Sequence, residues 1–361
     1  MNLELTDEQV ALRDTVRRFL AEKASLTTHV RPMLEDPTGT TREVWGGLAD
    51  LGATGVLVPQ EFGGSGMTMV EAGVVAEELG AALHPGPWLS TAVASARALT
   101  RLVPEPDAAS LLTGLADGST VATVGPLTGP RPTADGGVLR GEVSALPDAA
   151  AAGVVLVLAD DGHATGLFAI DSTAPGVSVT EQTHVDPTRK LFTVAFDDVA
   201  AQRLASPSAE DIGGLVDDVL IAYAADALGA ATAVMNLAIE YAKVRRQFDQ
   251  PIGSFQAVQH MCVDMYETVE LARSGVLHAL WTADAAQPAE RHLAAVRAKA
   301  FAGQLAGVAD TAIQVFGGIG YTWEHDAHLY LKRLLGWSAF GGSSDRYLQA
   351  VGRQLATAVS S

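Results

Sequence analysis

Arg245, Phe248 and Gln256 stand in one short polar stretch, Arg245-Arg246-Gln247-Phe248-Asp249-Gln250-Pro251-Ile252-Gly253-Ser254-Phe255-Gln256, set between two apolar runs. Guanidinium groups, amides and two aromatic rings meet there on a Pro-Gly turn. The planar fork of an arginine matches a phosphate or pyrophosphate through parallel donors. A second cluster follows later: Gln314-Val315-Phe316-Gly317-Gly318-Ile319-Gly320-Tyr321. One glycine after a helix is ordinarily a C-cap with positive φ. Three glycines in four positions, close to an amide, also let a ligand approach the backbone. A Rossmann site is not indicated, because G-x-G-x-x-G is absent and no strand precedes the glycines. Gly63-Gly64-Ser65-Gly66 lacks the Lys-Ser or Lys-Thr of a nucleotide P-loop and reads as a tight turn.

The first stretch resembles the signature of the acyl-CoA dehydrogenase family, R-x-Q-F-x-x-x-I-G-x-F-Q. The second resembles that family's Q-x-x-G-G-x-G-Y segment. Val58-Pro59-Gln60-Glu61-Phe62-Gly63-Gly64-Ser65-Gly66 and Glu77-Glu78-Leu79-Gly80 are similar to the turn and following helix of its N-terminal domain. The resemblance implies FAD bound across a subunit interface, with loop and glycines reaching the flavin dinucleotide of a neighbouring chain. Carried over position by position, it implicates Arg245, Phe248, Gln256, Gln314, Gly317 and Gly318 in cofactor binding. Arg246 falls on the variable position and is expected at the surface or an interface.

The reaction implied removes the α-proton of an acyl thioester while the β-hydrogen leaves as hydride, so it needs a partly desolvated carboxylate. The residue that this resemblance would make the catalytic Glu is Gly341, or Gly342 if the alignment slips by one, within Trp337-Ser338-Ala339-Phe340-Gly341-Gly342. A minority branch of the family carries its base on the first helix of the C-terminal domain, which counts back to Val219. Asp217 and Asp218 adjoin it and are weak candidates, since a neighbour on a helix is turned by about 100°. Their plainer reading is a solvated or capping pair. The family's T-E-P-x-x-G-S-D turn and W-[IV]-[ST] strand, which cover a flavin ring, are also absent. Val124-Gly125-Pro126-Leu127-Thr128 and Gly141-Glu142-Val143-Ser144-Ala145-Leu146 stand in their region, and a deep flavin pocket of this chain's own is not expected.

Other reactive types have plainer readings. His325 and His328 at three-residue spacing lack a third ligand, so no metal is expected and a capping or interface role is. Cys262, the single cysteine, lies in an apolar helical run and reads as a buried structural thiol. Trp281, Trp323 and Trp337 read as packing residues.

These residues need elements to hold them. Apolar spacing predicts helices from Thr6, with a capping box to Gln9, and at Thr41–Leu51, Thr68–Leu79 and Trp88–Leu102. Short β-branched runs between Gly, Pro and Asp turns, at 121–124, 154–158, 167–170, 177–179 and 191–196, predict an antiparallel sheet or small barrel. Alanine-rich periodic stretches predict long helices at Leu215–Val244, Phe255–Ala285, Ala289–Phe316 and His325–Leu335, with a last one from Asp345. The expected fold is α+β and acyl-CoA dehydrogenase-like. A helical N-terminal domain (1–117) precedes a shortened middle β domain (118–208) and a C-terminal antiparallel helix bundle (209–361).

With 361 residues, 48% hydrophobic, the chain can bury a large interior. A net charge of −18 argues against nucleic acid or an anionic membrane as partner. No run of 18 uninterrupted apolar residues and no signal at Met1–Glu8 is seen, so a soluble cytoplasmic protein is expected. The chain resembles a subunit of the actinobacterial α2β2 acyl-CoA dehydrogenases of steroid (cholesterol) side-chain degradation. That implies a related chain carrying the catalytic Glu as partner, an acyl-CoA substrate, and electron-transferring flavoprotein as acceptor. Two other readings stay open: a homo-oligomeric enzyme with a displaced Asp base, and a flavin-free structural homologue.

Overall fold

The computed structural model describes residues 4–358. The outermost three residues of the expected domain ranges, and the signal reading at Met1–Leu3, lie outside the described residues. The first helices are α1 (Asp7–Lys23), α2 (a single turn, Arg31–Met33), α3 (Arg42–Asp50), α4 (Met69–Ala81), α5 (Ala96–Leu102) and α6 (Glu105–Ala116). Thr6 opens α1 as predicted: its hydroxyl accepts from the Gln9 N–H while the Gln9 amide oxygen accepts from the Thr6 N–H. Thr68 and Glu71 open α4 in the same way. The helix expected over 88–102 begins instead as a wide π-type turn, Leu89–Ser95, that runs into α5.

The strands are β1 (Ala122–Gly125), β2 (Thr133–Asp135), β3 (Val138–Pro147), β4 (Val154–Asp160), β5 (Thr165–Asp171), β6 (Val177–Glu181), β7 (Leu191–Ala200) and β8 (Gln202–Ala205). They form one sheet in the order β6-β7-β3-β2-β4-β5-β8, with β1 also paired to β4. The expectation of a wholly antiparallel sheet is corrected, because β1–β4 and β2–β4 are parallel. The reason lies in β4, which is covered on both faces. Leu156 and Leu158 join the core shared with the helices, while Val155 and Val157 join a second core with Val143, Phe168 and Phe192. A strand buried on both faces needs a continuous apolar run, and Val-Val-Leu-Val-Leu supplies it.

The chain then becomes helical again: α7 (Ala209–Val244), a two-residue pair β9 (Arg246–Gln247) and β10 (Gln250–Pro251), α8 (Gln256–Ala285), α9 (Pro288–Ala302), α10 (Leu305–Phe316), α11 (Ala327–Ala339) and α12 (Ser344–Ala358). Ser208 caps α7 by accepting from the Asp211 N–H, so this helix starts before the expected Leu215. The single helix expected over 289–316 is two, broken between Ala302 and Leu305. α7 packs on α4, α8, α9, α10 and α11 and is the axis of the molecule. It is long and apolar enough to cross a membrane, but 89% of its most apolar window is buried inside the fold. It crosses α4 with backbones touching. A Cβ on Gly80 would lie 1.9 Å from the Asp226 carbonyl oxygen, and one on Gly229 1.8 Å from that of Glu77. Only glycine permits that crossing.

Candidate functional site

A cavity of about 410 Å³ lies between the sheet and the first third of α7. α7 contributes Val216, Val219, Leu220 and Tyr223, one face at three- and four-residue spacing. The turn after β1 contributes Pro126 to Thr128, the end of β3 Val143 to Pro147, and the end of α11 Phe340 and Gly341. The missing turn and Trp strand argued against a deep flavin pocket of this chain's own, and a cavity of this size was not otherwise foreseen. No Asp, Glu, Lys or Arg side chain is among its lining residues. Both positions where the resemblance would seat a base, Gly341 and Val219, are on its wall, and neither can take a proton. Gly341 has φ +68°, and a Cβ there would sit 2.9 Å from Leu220 Cδ2. The Tyr347 hydroxyl donates to the Gly341 carbonyl at 2.8 Å and fixes this turn.

Asp217 and Asp218 point away from that wall, and their reading as solvated or capping residues is corrected. Asp217 is buried, with its Oδ1 2.9 Å from Nδ1 of His292 on α9. Asp218 is fully buried and accepts from Arg101 Nε at 2.5 Å, with Arg97 Nε 3.5 Å away. Burial pushes both carboxyls up, against the opposing pull of His292 on the one and of Arg97 and Arg101 on the other. Both are fastened to neighbouring helices, and neither lines the cavity.

Three groups that sequence reading missed shape the cavity from behind. Asp226, one turn beyond Tyr223 on α7, accepts from Arg333 Nε and Nη2 at 2.9 and 2.8 Å and from Arg189 Nη2 at 2.6 Å. Arg333 also donates to the Thr188 hydroxyl and the His84 carbonyl oxygen. One buried carboxylate thereby ties α7, α11, the β6–β7 connection and the N-terminal helices together. Lys299 on α9 is fully buried and donates to the Trp337 carbonyl oxygen at 2.6 Å, capping the end of α11 before Gly341. Burial pulls its ammonium down to about 7. Asp148 is buried behind the wall and accepts from Ser90 at 2.5 Å; burial raises its carboxyl to about 6. No local pattern marks these residues, because their partners are remote in sequence.

The predicted cofactor residues gather at the opposite end of α7. Arg245 follows its last turn and is exposed, with no side-chain hydrogen bond or ion pair among the described residues. Arg246, also exposed as expected, donates to the Asp249 carbonyl oxygen and braces the turn. Phe248 is 85% exposed, with its ring edge-on to Phe255, and Gln256 opens α8. The glycine segment ends α10 beside them, since the rings of Tyr241 on α7 and Phe316 on α10 lie 5.0 Å apart. Gln314 and the two glycines are exposed, and a Cβ at Gly317 or Gly318 would meet nothing within 4 Å. The two motifs, distant in sequence, form one exposed end.

From Val219 to Arg245 is 26 helical residues, or about 39 Å at 1.5 Å per residue. That exceeds the reach of one extended flavin dinucleotide, so this chain's loop and this chain's cavity cannot hold the same molecule. The exposed end fits the pyrophosphate and adenosine half of such a group, with a free guanidinium, amides and open glycine backbone. The cavity wall offers no cation to a pyrophosphate.

The other predicted residues fall as follows. His325 caps α11, its Nδ1 accepting from the Ala327 N–H at 3.0 Å, and His328 is buried edge-on to Trp323. Among the described residues no cluster could hold a metal. Trp337 is a packing residue, but Trp281 and Trp323 are 45% and 59% exposed, which corrects that reading for both. Cys262 is half-buried rather than buried, and burial pushes its thiol up.

Comparison with known proteins gives a consistent result. Residues 6–119 match the family described as acyl-CoA dehydrogenase, N-terminal domain, and residues 221–356 match acyl-CoA dehydrogenase, C-terminal domain. The chain is similar to acyl-CoA dehydrogenase FadE34 of Mycobacterium tuberculosis, 36% identical over 96% of this chain but spanning 48% of that protein, about half its length. It is 33% identical to acyl-CoA dehydrogenase IpdE2 of the same organism, over 91% of this chain and 92% of that one. A solved structure of Tcur3481-Tcur3483, described as a steroid ACAD, superposes with a TM-score of 0.88 at 28% identity, over 98% of this chain and 99% of the other.

Proposed function

The chain belongs to the acyl-CoA dehydrogenase family, and we propose that it works as the subunit of a hetero-oligomer that lends its loop, not a base. In this reading Arg245, Phe248, Gln256, Gln314, Gly317 and Gly318 hold the FAD of a related partner chain, and the partner's carboxylate takes the α-proton. The observation that carries it is the course of α7. Its near end walls a cavity with no carboxylate at Val219 or Gly341, and its far end presents an unpartnered arginine about 39 Å away. When bound, the flavin accepts the hydride that leaves the β-carbon of the acyl thioester. Arg245 would neutralise the pyrophosphate as a paired donor, and the exposed Phe248 would exclude water from that contact. Gln256 and Gln314 would orient the dinucleotide through their amides.

The substrate class proposed is a CoA thioester of a steroid side chain, supported by the similarity to a steroid ACAD. Electron-transferring flavoprotein is the proposed acceptor. The helical, strand and helical segments are proposed as three domains, 1–117, 118–208 and 209–361. A homo-oligomer with Asp217 or Asp218 as base is disfavoured by their ion pairs away from the cavity.

The test is flavin absorbance of the chain purified alone and after co-expression with a related chain. The expected result is a colourless homomer and a yellow complex. A stoichiometrically yellow homomer would overturn the proposal.

A further inference from the structure

One buried cation has no part in the proposed chemistry, and its surroundings are unusual. Lys299 on α9 is fully buried, and among the described residues no carboxylate pairs with it. Its Nζ lies 2.6 Å from the Trp337 carbonyl oxygen, 3.5 Å from that of Ser338 and 3.6 Å from the centre of the Trp337 ring. Each of these contacts is to the last turn of α11. The Trp337 indole N–H donates back to the Ala302 carbonyl oxygen of α9 at 2.9 Å, so the turn lies closed over the amine. It continues into Phe340, stacked on Tyr223, and Gly341, both on the cavity wall.

The charged and titratable groups of the elements around Lys299 are engaged elsewhere. On α7 Asp217 faces His292, and Asp218 faces Arg97 and Arg101. On α8 Asp284 faces Arg97 and Arg273 faces Glu77. Arg333 of α11 faces Asp226, and the Tyr347 hydroxyl of α12 donates to the Gly341 carbonyl oxygen. Burial is the one influence on Lys299, and it pulls the ammonium down to about 7.

We propose that the last turn of α11 is a proton-linked latch, which closes over Lys299 and opens by letting that side chain reach water and take up a proton. Closed, the neutral amine still gives one N–H to the Trp337 carbonyl oxygen. In water a lysine is an ammonium up to about pH 10.4. Opening therefore takes up a proton between about pH 7 and about pH 10.4, and a fall in pH through that window favours the open turn by up to about tenfold per unit. Below about pH 7 both forms carry the proton, and the balance stops moving. Phe340 and Gly341 belong to the same turn, so the cavity wall loosens as the pH falls towards neutrality. The latch holds whichever chain supplies the base.

The test is amide hydrogen exchange in the full chain across this window, corrected for the intrinsic rate. The Phe340 N–H donates to the Gly336 and Trp337 carbonyl oxygens and the Gly342 N–H to that of Ala339, so both report on the turn. Their opening should rise by up to about tenfold for each unit of falling pH and level off near pH 7, while amides within α4 stay constant. Lys299→Met, which fills similar space without a titrating group, should flatten the profile. Tryptophan emission reads the closed form: the native chain should show a step with its midpoint near pH 7, and Lys299→Met should remove it. The native chain's own profile decides the matter where Lys299→Met fails to fold. A flat corrected profile in the native chain, a pH dependence that survives Lys299→Met, or α4 amides that follow the same curve would overturn the proposal.

Discussion

The two ends of α7 differ in how the chain treats charge. Along its cavity half Asp217, Asp218 and Asp226 are buried, and each is answered by a side chain from another element, His292, Arg101 and Arg333 in turn. At the loop end Arg245 projects into solvent unanswered, between an exposed phenylalanine and open glycines. Buried, reciprocated charge holds elements in place. Exposed, unreciprocated charge is available to something that is not part of this chain. One end of the helix is architecture, and the other is an offer.

The largest effect should come from breaking the architectural end. Asp226→Ala would leave the Arg189 and Arg333 guanidiniums buried without their anion, at a cost of about 3–5 kcal/mol. Urea denaturation reads this directly. A loss below about 1 kcal/mol would mean that the clamp is not what joins the three segments.

The loop end should respond in the opposite manner. Arg245→Ala should leave the stability of the chain unchanged, yet lower flavin retention in the assembled complex roughly tenfold or more, as for a charge-assisted contact. Arg246→Ala, whose side chain is spent on the Asp249 carbonyl oxygen, should cost far less. Equal losses in a flavin titration would show that the two arginines have exchanged roles.

A pH titration sharpens the contrast on the N-terminal side of the clamp. His84 is buried, and burial drives its imidazole well below the usual range. It stays neutral in the folded chain while the unfolded chain takes up a proton below about pH 6.5. Its contribution is therefore constant above that pH and is lost as pH falls, by about 1.4 kcal/mol per unit. Asp148, raised to about 6, acts with the opposite sign: its buried ionised form costs stability above that pH, and the cost is relieved as pH falls. Comparing the native chain with His84→Leu cancels the Asp148 contribution. A shallower loss below pH 6 in the variant is the expected outcome, and parallel curves would count against it.

The smallest expected effect is the most discriminating. The Asp217→Asn and Asp218→Asn double variant, once folding and FAD content are shown intact, should keep turnover in the complex within a few-fold. A general base removed from this chain would instead cost about 10²–10⁴-fold.

What the sequence made legible was local. The Thr6–Gln9 cap, the glycine turn at 63–66 and the two motif stretches are written in neighbouring residues; the cap and the turn are found where their letters stand, and the two stretches meet at one exposed end. What escaped depended on distant partners. The short β2 has no periodicity of its own, and β3 is placed by its register with β7. At the break after α9 the need for glycine is non-local too, since a Cβ on Gly303 would lie 2.6 Å from Ser344 of α12. Asp217 and Asp218 looked solvated because His292, Arg97 and Arg101 lie far away in the chain. The cavity is likewise a meeting of segments remote in the chain, so residues 124–128, 143–146, Val219 and Gly341 could be named singly beforehand but not as one wall.

The reach of α7 also has a consequence for mass action. If a flavin is held by one chain's cavity and another chain's loop, its dissociation constant contains the association constant of the subunits. Dilution alone would then bleach the enzyme, at unchanged pH and temperature and with every subunit still folded. Flavin content would report how crowded the subunits are rather than how well each one has folded.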